Sequence, residues 1–184
     1  MLRFVVVLVA ALATTGVGAT EAAWALLREG GQVVLLRHAI ASGTVEPSNF
    51  DIDKCATQRN LSERGKQQAR KIGSLFAARA APIDRVLSSR YCRSLATADI
   101  AFEDNEAEKF AQLDRLSDDP AEAKAQDAAV MREIEGFAGS GNLVLVTHAE
   151  NIKALTGMAA REGEAIVVRV EDGSLRVLGK IIFN

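Results

Sequence analysis

Val33-Val34-Leu35-Leu36-Arg37-His38 and, much later, Leu143-Val144-Leu145-Val146-Thr147-His148 are two apolar runs that each end in a histidine, and the 184-residue chain has no other histidines. A short continuous apolar run reads as a strand buried on both faces, as in parallel sheets. In open α/β sheets ligands bind at the carboxyl ends of the strands. Two strands that each bring one imidazole to that edge therefore predict a site, and Arg37 directly before His38 adds a cation to it.

The remaining elements are read outward from these strands. Ala22, Ala25 and Leu26 suggest a short helix over 21–28, closed by Gly30-Gly31. After the first strand, 39–60 is a long polar loop, of a length usually reserved for function or disorder. Ser62 is an N-cap, and Ala69, Ile72, Leu75 and Phe76 form the buried stripe of a helix running to about Ala80. Ile83 to Leu87 is a second strand, and Tyr91 to Phe102 a helix. Lys109 to Leu113 reads as a third strand, 114–120 as an acidic loop, and 121–138 as an Ala-rich helix. A helix from Ala149 to Leu155 is closed by Gly157. Two final strands, Ala165 to Val170 and Leu175 to Phe183, flank Glu171-Asp172-Gly173-Ser174 as a hairpin. This alternation predicts an α/β fold: a three-layer α/β/α sandwich around a mostly parallel sheet with helices on both faces.

Bulk properties narrow the function. Met1-Leu2-Arg3, the apolar stretch Phe4 to Ala13 and the small residues Val17-Gly18-Ala19 read as a secretory signal peptide over 1–19, leaving one domain over 20–184. Loss of Arg3 with it moves the formal net charge from −2 to −3. No later segment is apolar enough to span a membrane, so the expected location is the periplasm or outside the cell. Basic and aromatic residues are not clustered, which argues against a nucleic-acid partner. No paired Cys or His spacing suggests a metal site. Cys55 and Cys92 are either two thiols or, since an exported protein allows it and their segments converge on the site, a disulfide.

Three strand-to-helix junctions carry polar side chains: Arg37-His38, Ser88 through Arg93, and Thr147-His148. Arginines and imidazoles converging on one sheet edge make an anion site, and the guanidinium fork suits phosphate. These residues resemble the histidine phosphatase superfamily, with its phosphoglycerate mutase-like fold. The resemblance runs through Leu36-Arg37-His38-Ala39, Asn60-Leu61-Ser62-Glu63-Arg64-Gly65, Gln68-Ala69, Leu87-Ser88-Ser89, Arg93, Thr97-Ala98 and Val146-Thr147-His148. It implies that His38 is the nucleophile that becomes phosphorylated, that Arg37, Arg93 and His148 cradle the phosphoryl oxygens, and that no cofactor or metal is needed. Ala39 stands where the family usually has Gly, and Arg90 where it usually has Pro.

The proton donor is the open role. Arg115 occupies the region where many relatives carry an acidic residue. Glu150 is the first choice, with Asp114, Asp118 and Asp119 as alternatives. Arg59 is either a substrate contact or a surface arginine. Arg90 is either a second choice for the pocket arginine or a solvated loop charge. The expected activity is hydrolysis of a small phosphomonoester, such as a sugar phosphate or an envelope glycan phosphate. A non-catalytic anion-binding module and a phosphohistidine or phosphoramidate hydrolase are the alternatives.

Overall fold

The computed structural model describes residues 15–183, with side chains from residue 20 onward. The expected leader lies mostly outside these residues. Six strands form one sheet: β1 (Val33–Arg37), β2 (Ile83–Ser88), β3 (Glu108–Lys109), β4 (Asn142–Thr147), β5 (Glu164–Glu171) and β6 (Ser174–Ile182). Their order is β3-β2-β4-β1-β5-β6. The first four strands of that order pair in parallel, and β5 and β6 add an antiparallel hairpin beside β1. The helices are α1 (Thr15–Glu29), α2 (Glu63–Ala78), α3 (Cys92–Ala101), α4 (Pro120–Glu135) and α5 (Ala149–Thr156).

Successive strand residues point to opposite faces, so each central strand feeds two cores. Val34, Leu36, Val144 and Val146 pack with Trp24, Leu27, Ile72, Phe76 and Ala98, from α1, α2 and α3. Val33, Leu35, Leu143 and Leu145 pack with Val130, Ile134 and Ile152, from α4 and α5. This is the three-layer sandwich, and burial on both faces is why β1 and β4 carry no alternation. The C-terminal hairpin turns through Asp172 and Gly173, both at positive φ, as a two-residue turn between twisted strands requires.

The third strand is shorter than its sequence suggests. Only Glu108 and Lys109 pair with β2, and Ala111–Leu113 coils into a 3-10 turn. That turn buries Leu113 in the α4–α5 core, where its carbonyl accepts the Thr147 hydroxyl at 2.7 Å. Helix α4 stops at Glu135, short of Ala138, because Gly136 caps it. Helix α1 begins before the expected Glu21, so Ala19 lies within it, and among its described side chains Ala23, Trp24 and Leu27 are buried.

Candidate active site

The two histidines meet because β1 and β4 are hydrogen-bonded neighbours in register. Arg37 pairs with Thr147, so His38 and His148 leave the same sheet edge, and the His38 N–H donates to the Thr147 carbonyl at 3.0 Å. The ring centroids lie 5.4 Å apart. Strand β2 also pairs with β4 and ends at the same edge, bringing Ser88-Ser89 and then α3 with Arg93 on its first turn.

Motif residues that never touch the pocket hold this edge in place. The Thr97 hydroxyl accepts the Ala39 N–H at 2.9 Å and donates to the Arg93 carbonyl at 2.7 Å. Gln68 accepts the Ile40 N–H and donates to the Glu162 carbonyl. Ser62 caps α2 by accepting the Gly65 N–H at 3.0 Å and also donates to the Ile40 carbonyl. A Cβ on Gly65 would fall well inside contact distance of the Ile40 oxygen, so α2 approaches the chain after His38 as only glycine allows. Ala39 is fully buried against Leu61 and Ala69, so a small residue suffices in place of glycine.

His38 is 3 % exposed, and its hydrogen bonds define its tautomer. Nδ1 lies 2.8 Å from the Ala39 carbonyl, which can only accept, so Nδ1 carries the proton. Nε2 is then bare and accepts from Arg93 Nε at 3.1 Å. Burial drives the His38 pKa down to about 3, helped by Arg93, Arg37 and Arg59 and opposed by the Ala39 bond. His38 is thus a neutral imidazole at physiological pH, with its lone pair directed at a guanidinium.

His148 is set differently. The Ser89 hydroxyl donates to Asp114 Oδ1 at 3.0 Å, so its oxygen accepts the Nε2–H of His148 at 2.9 Å. Nδ1 of His148 is left bare, 3.4 Å from an Arg93 nitrogen. Burial, with His38 and Arg93 nearby, holds the His148 pKa well below the ordinary imidazole value. In this resting state Nδ1 is an acceptor, so the role of donor to phosphate requires an added proton. Tyr91 packs edge-on against His148, stacks on Phe50 and lies under the Arg93 guanidinium.

Arg93 is 2 % exposed and joins the three parts of the site. Its Nε reaches His38, one terminal nitrogen faces His148, and the other donates to Glu46 Oε1 at 2.6 Å. Around it is a pocket of about 400 Å³, lined by Arg37, Arg59, Arg93, Arg115, both histidines, Glu46 and Glu150. Four guanidinia against two carboxylates, with both histidines neutral, leave two positive charges, which match a phosphoryl dianion. Arg37 donates to the Ala160 carbonyl, and its Nε is buried with no partner. A buried donor without a protein partner in a cationic pocket is one that an anion could satisfy.

The expected site residues divide clearly. His38, His148, Arg37, Arg93, Arg59 and Glu150 all line the pocket. Glu150 sits at the rim, where its carboxylate accepts from Arg115 Nε at 2.6 Å. Arg90 does not reach the pocket: it is an exposed loop charge, as the second alternative expects, with its backbone N–H and guanidinium both bonded to Asp114. Asp114 is consumed by Arg90 and Ser89 and so acts behind His148. Asp119 is the N-cap of α4, and Asp118 is exposed outside the pocket. The sequence reading missed Glu46, which lies in an aperiodic loop with no motif to mark it. Cys55 and Cys92 are joined by a disulfide. Among the described residues no three His, Cys, Asp or Glu side chains are grouped as metal ligands would be, and no helix is long and apolar enough to cross a membrane.

Fold and site together define an α/β domain with a cationic pocket at the carboxyl ends of its central strands. Residues 33–119 match the family model of the histidine phosphatase superfamily, branch 1. A solved structure of the protein histidine phosphatase SixA in complex with tungstate superposes with a TM-score of 0.60 at 18% identity, covering 83% of this chain and 97% of that one. A histidine-to-alanine mutant of phosphoserine phosphatase from Entamoeba histolytica, complexed with phosphoserine, gives 0.60 at 13% identity, over 81% and 95% of the two chains. Phosphoglycerate mutase from Thermus thermophilus gives 0.58 at 19% identity, over 82% and 98%. No curated protein matches the sequence. Over residues 33–119 the chain is thus similar to the histidine phosphatase superfamily, and its architecture is the phosphoglycerate mutase-like fold of these solved structures.

Proposed function

We propose that this protein is a phosphatase that hydrolyses small phosphomonoesters through a phosphohistidine on His38. The observation that carries the reading is the state of His38: neutral, with its tautomer held by the Ala39 carbonyl and its bare Nε2 bonded to a buried arginine in a pocket of net positive charge. A nucleophilic imidazole needs all three conditions. In phosphoryl transfer catalysis is mostly positioning and charge stabilisation, which Arg93 and Arg37 are arranged to supply.

In this reading the phosphoryl group draws the Arg93 guanidinium onto its oxygens and frees Nε2 for attack on phosphorus. Its negative charge favours protonation of His148, whose Nδ1–H then donates to a phosphoryl oxygen while Ser89 holds Nε2. Water later cleaves the phosphorus–nitrogen bond and restores neutral His38. No step calls on a metal or cofactor. The proton for the leaving group comes from a carboxylate lining the pocket, Glu46 or Glu150.

The pocket is compact and polar, which suits a small phosphorylated substrate such as a sugar or envelope glycan phosphate. The leader-like N-terminus supports export to the periplasm or beyond, and a disulfide beside the site suits an oxidising compartment.

Rapid quench of the purified protein with a labelled phosphomonoester tests the reading. Label on His38, decaying to free phosphate without added metal and absent in His38→Ala, is the expected result. Phosphate binding with no label at any time would sink it and leave a non-catalytic anion-binding module.

A further inference from the structure

The loop between β1 and α2 places a carboxylate inside the arginine cradle. Both oxygens of Glu46 are held: Oε1 accepts from Arg93 at 2.6 Å, and Oε2 accepts the Arg59 backbone N–H at 3.0 Å. The same guanidinium that bonds Glu46 bonds Nε2 of His38. A phosphoryl group seated on Arg93 and attached to His38 is therefore within reach of the Glu46 carboxylate.

This position is built into the fold. The loop is tied to α3 by the Cys55–Cys92 disulfide and by Gln58, whose side chain accepts the Cys92 N–H and donates to the Asp51 and Ile52 carbonyls. Arg59 bonds back to the Ser42 carbonyl and closes the segment that carries Glu46. Glu150, the other carboxylate lining the pocket, bonds Arg115 at the rim, and neither of them is bonded to a histidine.

We propose that Glu46 is the general acid and base of the reaction, an assignment that rests on the phosphatase reading above. When His38 Nε2 attacks phosphorus, the ester phosphorus–oxygen bond breaks and the leaving oxygen takes the proton of the Glu46 carboxylic acid. In the second half the Glu46 carboxylate takes a proton from water as the water oxygen bonds phosphorus and the phosphorus–nitrogen electrons return to His38. The alcohol, phosphate and protonated Glu46 account for every atom and charge. Each turnover returns to Glu46 the proton it gave to the leaving oxygen, so the attacking water resets the site.

The test compares wild type, Glu46→Gln and Glu150→Gln on aryl phosphates of graded leaving-group basicity. General acids contribute about 10²–10⁴-fold, and most where the leaving group is poor. Glu46→Gln is expected to lose about 10²-fold or more in kcat/KM on phenyl phosphate and under about tenfold on 2,4-dinitrophenyl phosphate. Phosphohistidine should also accumulate with the dinitrophenyl ester, because the water step has lost its base. Glu46→Asp, which keeps the carboxylate, should recover part of the phenyl phosphate activity. An equal loss across the series overturns the assignment, as does the same selective loss in Glu150→Gln alone. Tighter phosphate inhibition with unchanged kcat in Glu46→Gln also overturns it, making Glu46 a plug. Wild type that never labels His38 with any ester instead takes down the phosphatase reading, and the assignment with it.

Discussion

Cys55 and Cys92 are bonded to each other with Cα atoms 5.6 Å apart, and Cys92 is the residue immediately before the buried Arg93. The bond therefore fastens the 39–60 loop to the start of α3, beside the guanidinium on which the site is centred. It closes a sequence separation of 37 residues, for which chain-entropy reasoning gives about 3–4 kcal/mol. Cys55→Ser/Cys92→Ser is expected to lose stability of this order in urea titrations. It should also lose activity at temperatures where it is still folded, because Glu46 and Arg59 are freed. Unchanged activity in the folded variant would mean that the loop is ordered without the bond.

Arg93→Lys tests whether geometry or charge matters at the centre of the site. One guanidinium reaches His38, His148 and Glu46 through three different nitrogens, whereas an ammonium is a point charge that cannot span them. A fall in kcat of about 10²–10³-fold is expected. A variant within a few-fold of wild type would show that positive charge alone suffices.

The histidines make stability depend on pH. The His38 pKa is about 3 in the fold against 6.5 for an ordinary imidazole, and that of His148 is also lowered. Between these pH values the unfolded chain binds more protons than the folded one, so stability rises with pH. The contribution is complete above about pH 6.5 and is lost as the pH falls toward 3. Each neutral histidine sets a limiting slope of about 1.4 kcal/mol per pH unit. His38→Asn should show a shallower fall in its urea midpoint than wild type between about pH 6.5 and 4.5. Parallel curves would mean that His38 takes up a proton in the fold.

Gly65→Ala should be costly for an exposed-looking helix start. The added Cβ would collide with the Ile40 carbonyl oxygen, a backbone atom that cannot rotate away. Displacing α2 or the chain after His38 is expected to cost about 1–3 kcal/mol. Because Ile40 lies two residues after His38, activity should fall as well. Thermal melts and phosphatase assays of the variant check both, and a neutral result would show that the loop yields without disturbing His38.

Much of this protein could be read from its local chemistry. The unbroken apolar runs before His38 and His148 marked strands buried on both faces, since sheet pleating leaves no solvated side to fill with polar residues. Ser62, Gly157 and Asp172-Gly173 marked boundaries because caps and tight turns demand particular residues. Local pattern failed where burial overrode it. Leu113 looked like strand, but core packing turns it into a 3-10 coil. Arg90 looked available to the pocket, yet Asp114 claims it.

The sequence by itself determined the sheet, its covering helices and the arrival of His38, Arg93 and His148 at one edge, because period and turn chemistry act over a few residues. Only the tertiary structure decided which nitrogen of each histidine is bare, which acidic residue enters the cradle, and that Arg93 joins them. Those properties depend on contacts between segments far apart in the chain: Ala39 against Thr97, Ser89 against Asp114 and His148, and Glu46 against Arg93. Hydrogen-bond partners and burial set charge and tautomer, and both come into being only when the chain closes on itself.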